Sequence, residues 1–387
     1  SPVFYPSDAQ HTMVSLAETI ARWDYYVRPY LVHLPAPLAT QVYSSGRAVF
    51  LSALSAELPQ PVFPDEQHAC TLWGIGFRCR ILNAAGMFKN GEGYELSWRH
   101  GAGAYLAGTT TTYARQGNRK HGINKPFIPY PRSQAASNWL GLPNDGHAAV
   151  AQRLAAFRRY ENFPIGASLM TAPESQGITA LDELLEGLKV YDAARVDFIE
   201  INESCPNVAH DTSSMEELTQ RLEYISQRFL RVRTRNLPVV VKFSNDTALT
   251  DVEHLLDILL TLRYDGINFG NTSTQYDQHR ALLDASELRI FDYFTQTFGG
   301  GISGKPLRAS SLALIRRAHE ILSSKNPQHE FHIIQTGGVD SGQNIHESLA
   351  AGASLCQWYT GYFERFAEHG HRLYEHVLSE LSVLYDA

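Results

Sequence analysis

From about residue 65 onward, short unbroken runs of apolar and β-branched residues alternate with longer stretches of helical periodicity. The runs predict eight strands: Ile81–Ala85, Ala104–Gly108, Ile165–Leu169, Phe198–Ile201, Val239–Phe243, Gly266–Gly270, His332–Thr336 and Ser354–Trp358. They are continuous rather than alternating, as strands are when both faces are covered in a parallel sheet. Between most of them apolar positions recur at helical spacing, for example over Ala180–Ala194, Ser214–Arg231 and Thr250–Leu262. Eight βα units over roughly 300 residues predict an α/β protein built as a (β/α)8 TIM barrel. A doubly wound sheet is the alternative, but no Gly-x-Gly-x-x-Gly opens a helix after the first strand.

The first 64 residues follow a different pattern. Met13–Tyr26 and Leu38–Leu58 read as two helices separated by His33-Leu34-Pro35-Ala36-Pro37, a link short enough for a helical hairpin. Trp23, Tyr25, Tyr26, Tyr30, Tyr43 and Phe50 are expected on its exposed faces, where aromatics suit a membrane interface or the mouth of an apolar tunnel. Packing on the barrel is the plainer alternative.

Polar chemistry collects at the strand ends. The first strand runs into Ala84-Ala85-Gly86-Met87-Phe88-Lys89, the second into Gly108-Thr109, the fourth into Asn202-Glu203-Ser204-Cys205-Pro206-Asn207, and the sixth into Asn271-Thr272. The seventh meets Gly337-Gly338 and the eighth Tyr359-Thr360-Gly361. In a barrel these ends converge on one face, where active sites form. A glycine after a strand is ordinarily only a turn; many such ends in one register are harder to assign to turns alone. Gly337-Gly338 ahead of a helical pattern from about Gln343, with Gly361 after the last strand, has the makings of a phosphate cradle of backbone N–H groups. Lys242 ends an apolar strand, so its ammonium needs a partner or a bound anion. Cys205 can serve as a base, since a free thiol titrates near ~8.5.

Composition narrows the function classes. The apolar fraction of 44% and charged fraction of 19% are those of a globular protein, and the net charge of −7 argues against a nucleic-acid partner. The four cysteines form no Cys-x-x-Cys pair, which suits free thiols. No histidine spacing matches a metal site, and His369, His371 and His376 read as solvated surface groups. No apolar run is long enough to span a bilayer, and no signal peptide is visible. The chain begins at Ser1-Pro2, which leaves room for a processed upstream targeting segment.

Together these residues resemble the dihydroorotate dehydrogenase family from about residue 20 to the end. The resemblance is carried by Ala84-Ala85-Gly86-x-x-Lys89-x-Gly91-Glu92, Gln116-Gly117-Asn118, Asn138-x-x-Gly141-Leu142-x-Asn144, Asn202-x-Ser204-Cys205-Pro206-Asn207, Gly300–Leu307 and Gly337-Gly338-Val339-x-Ser341-Gly342. It implies a barrel holding FMN at its C-terminal face and oxidising (S)-dihydroorotate to orotate in pyrimidine synthesis. By the same resemblance Cys205 is the catalytic base. Lys89, Asn138, Gly141, Leu142, Asn202, Asn207, Asn271 and Thr272 bind substrate. Ala85, Gly86, Lys89, Gly108, Thr109, Asn138, Asn202, Lys242, Gly270, Ser303, Gly304, Gly337, Gly338, Tyr359 and Thr360 bind the flavin, Lys242 near its N1 and O2.

Two subclasses are mixed in this chain. The N-terminal hairpin, Lys89 and the run Gly304–Arg308 resemble class 2, the membrane-associated enzymes that pass electrons to a quinone. Cys205 and Asn138–Asn144 resemble class 1, whereas Gly108 stands where class 1 carries a lysine. Glu203 and Ser168 depart from the usual residues. The expectation is a quinone-dependent enzyme with residues 1–64 as a quinone and membrane gate and 65–387 as the FMN barrel. It would sit peripherally on the cytoplasmic face of a membrane, in the cytoplasm, or in an organelle if a targeting segment is removed. The alternatives are an FMN oxidoreductase using fumarate or a substrate such as dihydrouracil, or a non-catalytic flavin-binding protein.

Overall fold

The computed structural model describes residues 15–203 and 215–385. Eight parallel strands form the central sheet: β1 (Ile81–Asn83), β2 (Tyr105–Thr110), β3 (Ile165–Leu169), β4 (Phe198–Asn202), β5 (Val239–Phe243), β6 (Gly266–Phe269), β7 (His332–Thr336) and β8 (Leu355–Trp358). Each lies within a few residues of its expected position. The hydrogen-bonded order runs from β2 through β3, β4, β5, β6, β7 and β8 to β1. Side chain and loop complete the ring between β1 and β2. Asn83 Nδ2 donates to Leu106 O (2.8 Å), Leu106 N–H donates to Asn83 Oδ1 (3.1 Å), and Gly86 N–H donates to Gly108 O (2.6 Å).

The helices include α1 (Leu16–Leu31), α2 (Ala36–Ala56), α3 (Tyr94–His100), α4 (His147–Ala155), α5 (Gly177–Ala193), α6 (Met215–Ile225), α7 (Val252–Thr261), α8 (Arg308–Lys325), α9 (Gly342–Ala350), α10 (Thr360–His369) and α11 (Leu373–Tyr385); two more, Tyr276–Arg280 and Leu288–Thr297, lie between β6 and β7. The helix expected over Ser214–Arg231 ends its α geometry at Ile225 and closes with a π turn, Ser226–Leu230, in which Ser226 Oγ donates to Leu262 O (2.6 Å).

Strand residues pointing outward, such as Ile199, Ile201, Val239 and Val241, pack on the helices. Inward-pointing residues form layers, as the two-residue repeat of a strand requires. The floor is apolar: Leu82, Leu106, Phe198, Val240, Ile334 and Leu355 are closed from below by Trp73 and Phe77 on the antiparallel ribbon Cys70–Leu72/Ile75–Phe77. The layer above is polar and buried: Ser168, Glu200, Asn268, Thr336 and Gln357. At the C-terminal end, a three-stranded antiparallel sheet of Phe127–Tyr130, Ala135–Asn138 and Gly301–Gly304 leans over the mouth.

The N-terminal hairpin is present, with α1 five residues longer than expected at its C-terminal end. Pro29 lies inside α1 and removes one helical hydrogen bond. The neighbouring Arg28, 7% exposed, holds that turn in place by a paired contact with Glu364 of α10. Ala17 and Leu54 are fully buried in the same apolar cluster as the barrel helices. Trp23, Tyr26 and Tyr30 are exposed as expected. Tyr43 and Phe50 are not: Tyr43 Oη donates to Asp24 Oδ1 (3.1 Å), and Phe50 packs against Phe363 and Phe366. His371 also corrects its reading as a solvated group. It is 9% exposed, with Nε2 2.6 Å from Glu57 Oε2 and Nδ1 2.7 Å from Nε2 of the fully buried His100. It buttresses the end of α2 against α3 and α10, a role that periodicity does not reveal.

Candidate active site

A cleft with about 890 Å3 of empty space, its mouth included, opens at the C-terminal ends of the strands. Its wall is built from the loops after β1 (Ala84, Ala85, Gly86, Lys89), the strand ends Thr109, Asn202 and Lys242, and the β6 loop (Gly270, Asn271, Thr272). The leaning sheet adds Asn138, Leu140, Leu142, Ser303 and Gly304, and the last two strands add Thr336, Gly337, Gly338, Tyr359, Thr360 and Gly361. Nearly every site residue expected from sequence meets here. Gly108 and Gly141 do not line the cleft. Gly108 lets β2 approach β3: with φ +103°, a Cβ there would lie 2.2 Å from Ser168 O. Gly141, also at positive φ, lets its turn close on Asn118, 2.2 Å from where a Cβ would stand. Cys205 and Asn207 lie outside the described residues.

The two ends of the cleft differ in chemistry. At one end Gly304, Gly338 and the start of α10 converge. Tyr359 precedes α10 without any side-chain cap, so the first N–H groups of that ten-residue helix face the cleft with its positive dipole. Gly338 has φ +71° and would place a Cβ 2.7 Å from Arg308 Cα. Gly361 would place one 2.2 Å from Val339 O, so the start of α10 can approach the β7 loop only because residue 361 is glycine. Ser303 Oγ and Thr360 Oγ1, 2.9 Å apart, add hydroxyls to this end. This end has the backbone N–H groups, hydroxyls and dipole that suit an anion such as a phosphate group.

The other end is carboxamide-rich. Asn271 Nδ2 donates to Asn202 Oδ1 (3.2 Å), and Asn202 Nδ2 donates to Thr109 Oγ1 (3.3 Å). Thr109 Oγ1 is itself 3.0 Å from Ser168 Oγ. Asn245 Nδ2 donates to Asn271 O (2.7 Å) and fixes the β6 loop. Thr272 Oγ1 is buried with no hydrogen-bond partner among the described residues. A buried orphan hydroxyl facing a cleft fits a polar ligand.

Behind Thr109, Thr110 Oγ1 lies 2.9 Å from His147 Nδ1 and 2.6 Å from Tyr191 Oη. Burial pushes the His147 imidazole down to about 4, so it is neutral near pH 7 and acts as packing support. The cleft floor carries Lys242, whose Nζ lies 3.6 Å from the buried carboxylate of Glu200. Glu203, at the exit of β4, is held by Arg221 of α6 (2.8 Å), which compensates its charge.

Sequence reasoning missed Glu200, Asn268, Thr336 and Gln357 as a group; a carboxylate between two isoleucines of a buried strand was the available signal. It also missed Arg47 on α2, whose guanidinium bonds to Tyr359 Oη and lies over the Tyr359 ring, 5.9 Å from its centroid. An amphipathic helix offers no indication of which basic residue turns inward.

Residues 68–383 match the family described as dihydroorotate dehydrogenase. Among curated relatives, the dihydroorotate dehydrogenase (quinone) of Acaryochloris marina is 30% identical over 305 residues, 77% of this chain and 76% of that protein. That of Mycobacteroides abscessus is 27% identical over 377 residues, 95% of each chain. That of Gloeobacter violaceus is 32% identical over 304 residues, 78% of this chain and 77% of that protein. Among solved structures, DHODH from Eimeria tenella in complex with ferulenol superposes with a TM-score of 0.72 at 20% identity, covering 94% of this chain and 95% of that one. At that identity the superposition supports the barrel and hairpin architecture alone.

Proposed function

Because the chain belongs to the dihydroorotate dehydrogenase family, we propose that its cleft holds FMN, oxidises (S)-dihydroorotate to orotate, and passes the electrons to a quinone. The observation that carries this reading is the polarity of the cleft. An uncapped helix start and glycine loops lie at one end, carboxamides at the other, with a lysine in the floor between them. That is the charge pattern of a phosphorylated, planar, multiply polar cofactor and a cyclic imide substrate beside it.

The residues fit the group. Gly304, Gly338, Tyr359, Thr360 and Ser303 would hold the phosphate. Lys242 would face the electron-rich edge of the ring, with Ala85, Gly86, Thr109 and Gly270 along its body. When bound, FMN supplies the hydride acceptor and the route for the two electrons onward. The chain supplies orientation and proton handling. Asn138, Asn202, Asn271 and Thr272, with Asn207, would fix the substrate through their donors and acceptors. Cys205 would take the proton from C5 on its Sγ while C6 gives up hydride. A thiol is suited to this because it ionises far closer to neutral pH than a hydroxyl.

The acceptor follows from the hairpin. α2 runs beside the mouth, and Arg47 contacts Tyr359, a cleft residue. Residues 1–64 would therefore form the acceptor gate and 65–387 the FMN barrel. No helix among the described residues is long and apolar enough to cross a membrane. The exposed Trp23, Tyr26, Tyr30, Val42 and Val49 of the hairpin suit peripheral contact with a lipid surface. The test is anaerobic: dihydroorotate should bleach the bound yellow chromophore, and a long-chain quinone should restore it faster than fumarate does. Release of FAD, or no bleaching, would overturn the reading; faster recovery with fumarate would overturn the acceptor.

A further inference from the structure

Glu200 is the buried acid in the barrel's polar layer, 1% exposed, and is not among the residues that line the cleft. Its neighbours define its charge. Asn268 Nδ2 and Gln357 Nε2 both donate to Oε2 (2.8 and 2.8 Å). Ser168 Oγ donates to Oε1 (3.3 Å), and Lys242 Nζ stands 3.6 Å from the same oxygen. The Thr336 hydroxyl lies 3.0 Å from Asn268 Oδ1 and 2.9 Å from Gln357 Oε1, which turns both NH2 groups toward Glu200. Each of these contacts brings a donor to the carboxyl. A protonated acid would need an acceptor for its own hydrogen, so the arrangement suits a carboxylate.

The pair is also directional. Lys242 is opposite Asn202 in the β4–β5 register and lines the cleft; Glu200 is two residues further down β4 and does not. Two strand residues separate layers by about 6.6 Å. The positive end of the pair faces the cleft and the negative end lies one layer below it.

We propose that Glu200 is a positioning residue that sets the redox poise of the cofactor through Lys242. It holds the ammonium at the floor and offsets much of its field, so that reduced cofactor is not over-stabilised and can release its electrons to the acceptor. Two electrons and one proton added to an oxidised flavin leave one more negative charge on it, so the relative affinity for the two redox forms responds to the net charge of the floor. This inference rests on the flavin reading above.

Glu200→Gln keeps shape and removes the charge. The reduced cofactor should then bind at least tenfold more tightly relative to the oxidised form, which is a rise of about 30 mV in the two-electron midpoint. Glu200→Asp keeps the charge with a shorter stem and should stay near the wild-type potential. Potentials are read by equilibrium reduction against a reference dye, after near-ultraviolet circular dichroism has shown each variant folded. Sulfite affinity at the flavin should rise with Glu200→Gln and serves as an independent reading. An unchanged or lowered potential in Glu200→Gln, or equal shifts in both variants, overturns the proposal while leaving the flavin site intact. A wild-type protein that holds no flavin overturns both.

Discussion

Replacing Arg28 by methionine should loosen the hairpin by an amount that depends on pH in a calculable way. Arg28 lies on α1, 7% exposed, and its guanidinium forms a two-pronged contact with Glu364 of α10, Nη1 donating to Oε1 at 3.0 Å. Methionine keeps the bulk of the stem and removes the charge. Breaking a buried pair costs about 3–5 kcal/mol when the remaining partner must stay charged. Glu364 has a second course. Burial already pushes its carboxyl above the ordinary 4.5 even with Arg28 beside it, and without Arg28 it takes up a proton. That proton costs about 1.4 kcal/mol for each pH unit above the unfolded value, which caps the penalty at roughly 3.4 kcal/mol at pH 7 and about 1.4 kcal/mol at pH 5.5. The sign follows from a raised folded pKa: the variant is weakest at high pH and recovers as pH falls toward the unfolded carboxylate range. Asp24, whose carboxyl is likewise raised by burial and held down in part by Arg28, adds to this pH dependence in the same sense. Urea unfolding and amide exchange in α1 at the two pH values measure the penalty. Adding Glu364→Gln removes the stranded charge and should restore most of the loss. A penalty that is the same at both pH values, or a double variant no better than Arg28→Met, would refute the reasoning.

Gly338→Ala should impair cofactor binding before it impairs folding. A non-glycine residue at φ +71° costs about 1–2 kcal/mol, and its Cβ would press on the Arg308 backbone at 2.7 Å, so reconstitution fluorescence should show FMN affinity down by tenfold or more; wild-type affinity would place the phosphate elsewhere. His100 is neutral in the fold, its pKa driven far down by burial and then by His371. Its contribution is complete above pH about 6.5 and is lost below it at roughly 1.4 kcal/mol per unit, so His100→Asn should flatten the fall in urea midpoint between pH 7.5 and 5.5; parallel profiles would contradict this. Cys205→Ala should leave FMN bound but slow its reduction by dihydroorotate by roughly 10²-fold or more in stopped flow, and a wild-type rate would place the base elsewhere.

The barrel was legible because its strands are apolar on both faces, and such runs stand out against amphipathic helices. The cleft was legible through glycines and asparagines at strand ends, which repeat a local signal six times over one face. Residues that work through long-range contacts were not. His371 reads as one of several histidines near the end of the chain, yet it bridges Glu57 and His100. Nothing within a few positions of His371 encodes a partner 271 residues away. The first helix shows the converse error. Expected to end at Tyr26, it runs through Pro29 to Leu31, where a buried ion pair on Arg28 overrides the local preference of proline. Glu200 was hidden because one acid in a strand looks like an interruption of an apolar run; its meaning comes only from Asn268 and Gln357, supplied by other strands.

The helix α10 ties these observations together. Its N-terminus closes one end of the cleft, and its length carries the grip of the hairpin: Arg47 on Tyr359 at its start, Arg28 on Glu364 in its middle, and Glu57 on His371 just beyond its end. Ala17 and Leu54 add fully buried apolar contact from both hairpin helices. The hairpin is therefore a structural partner of the cleft as well as the acceptor gate proposed above. Deleting it would uncover core and disturb the helix proposed to cradle the phosphate, so lost activity in a truncated protein would not discriminate between a missing acceptor path and a damaged flavin site. The acceptor question belongs instead to single changes that leave α10 clamped. Arg47 is the informative position, because it joins the hairpin to a cleft residue without lying in the apolar cluster that holds the two parts together.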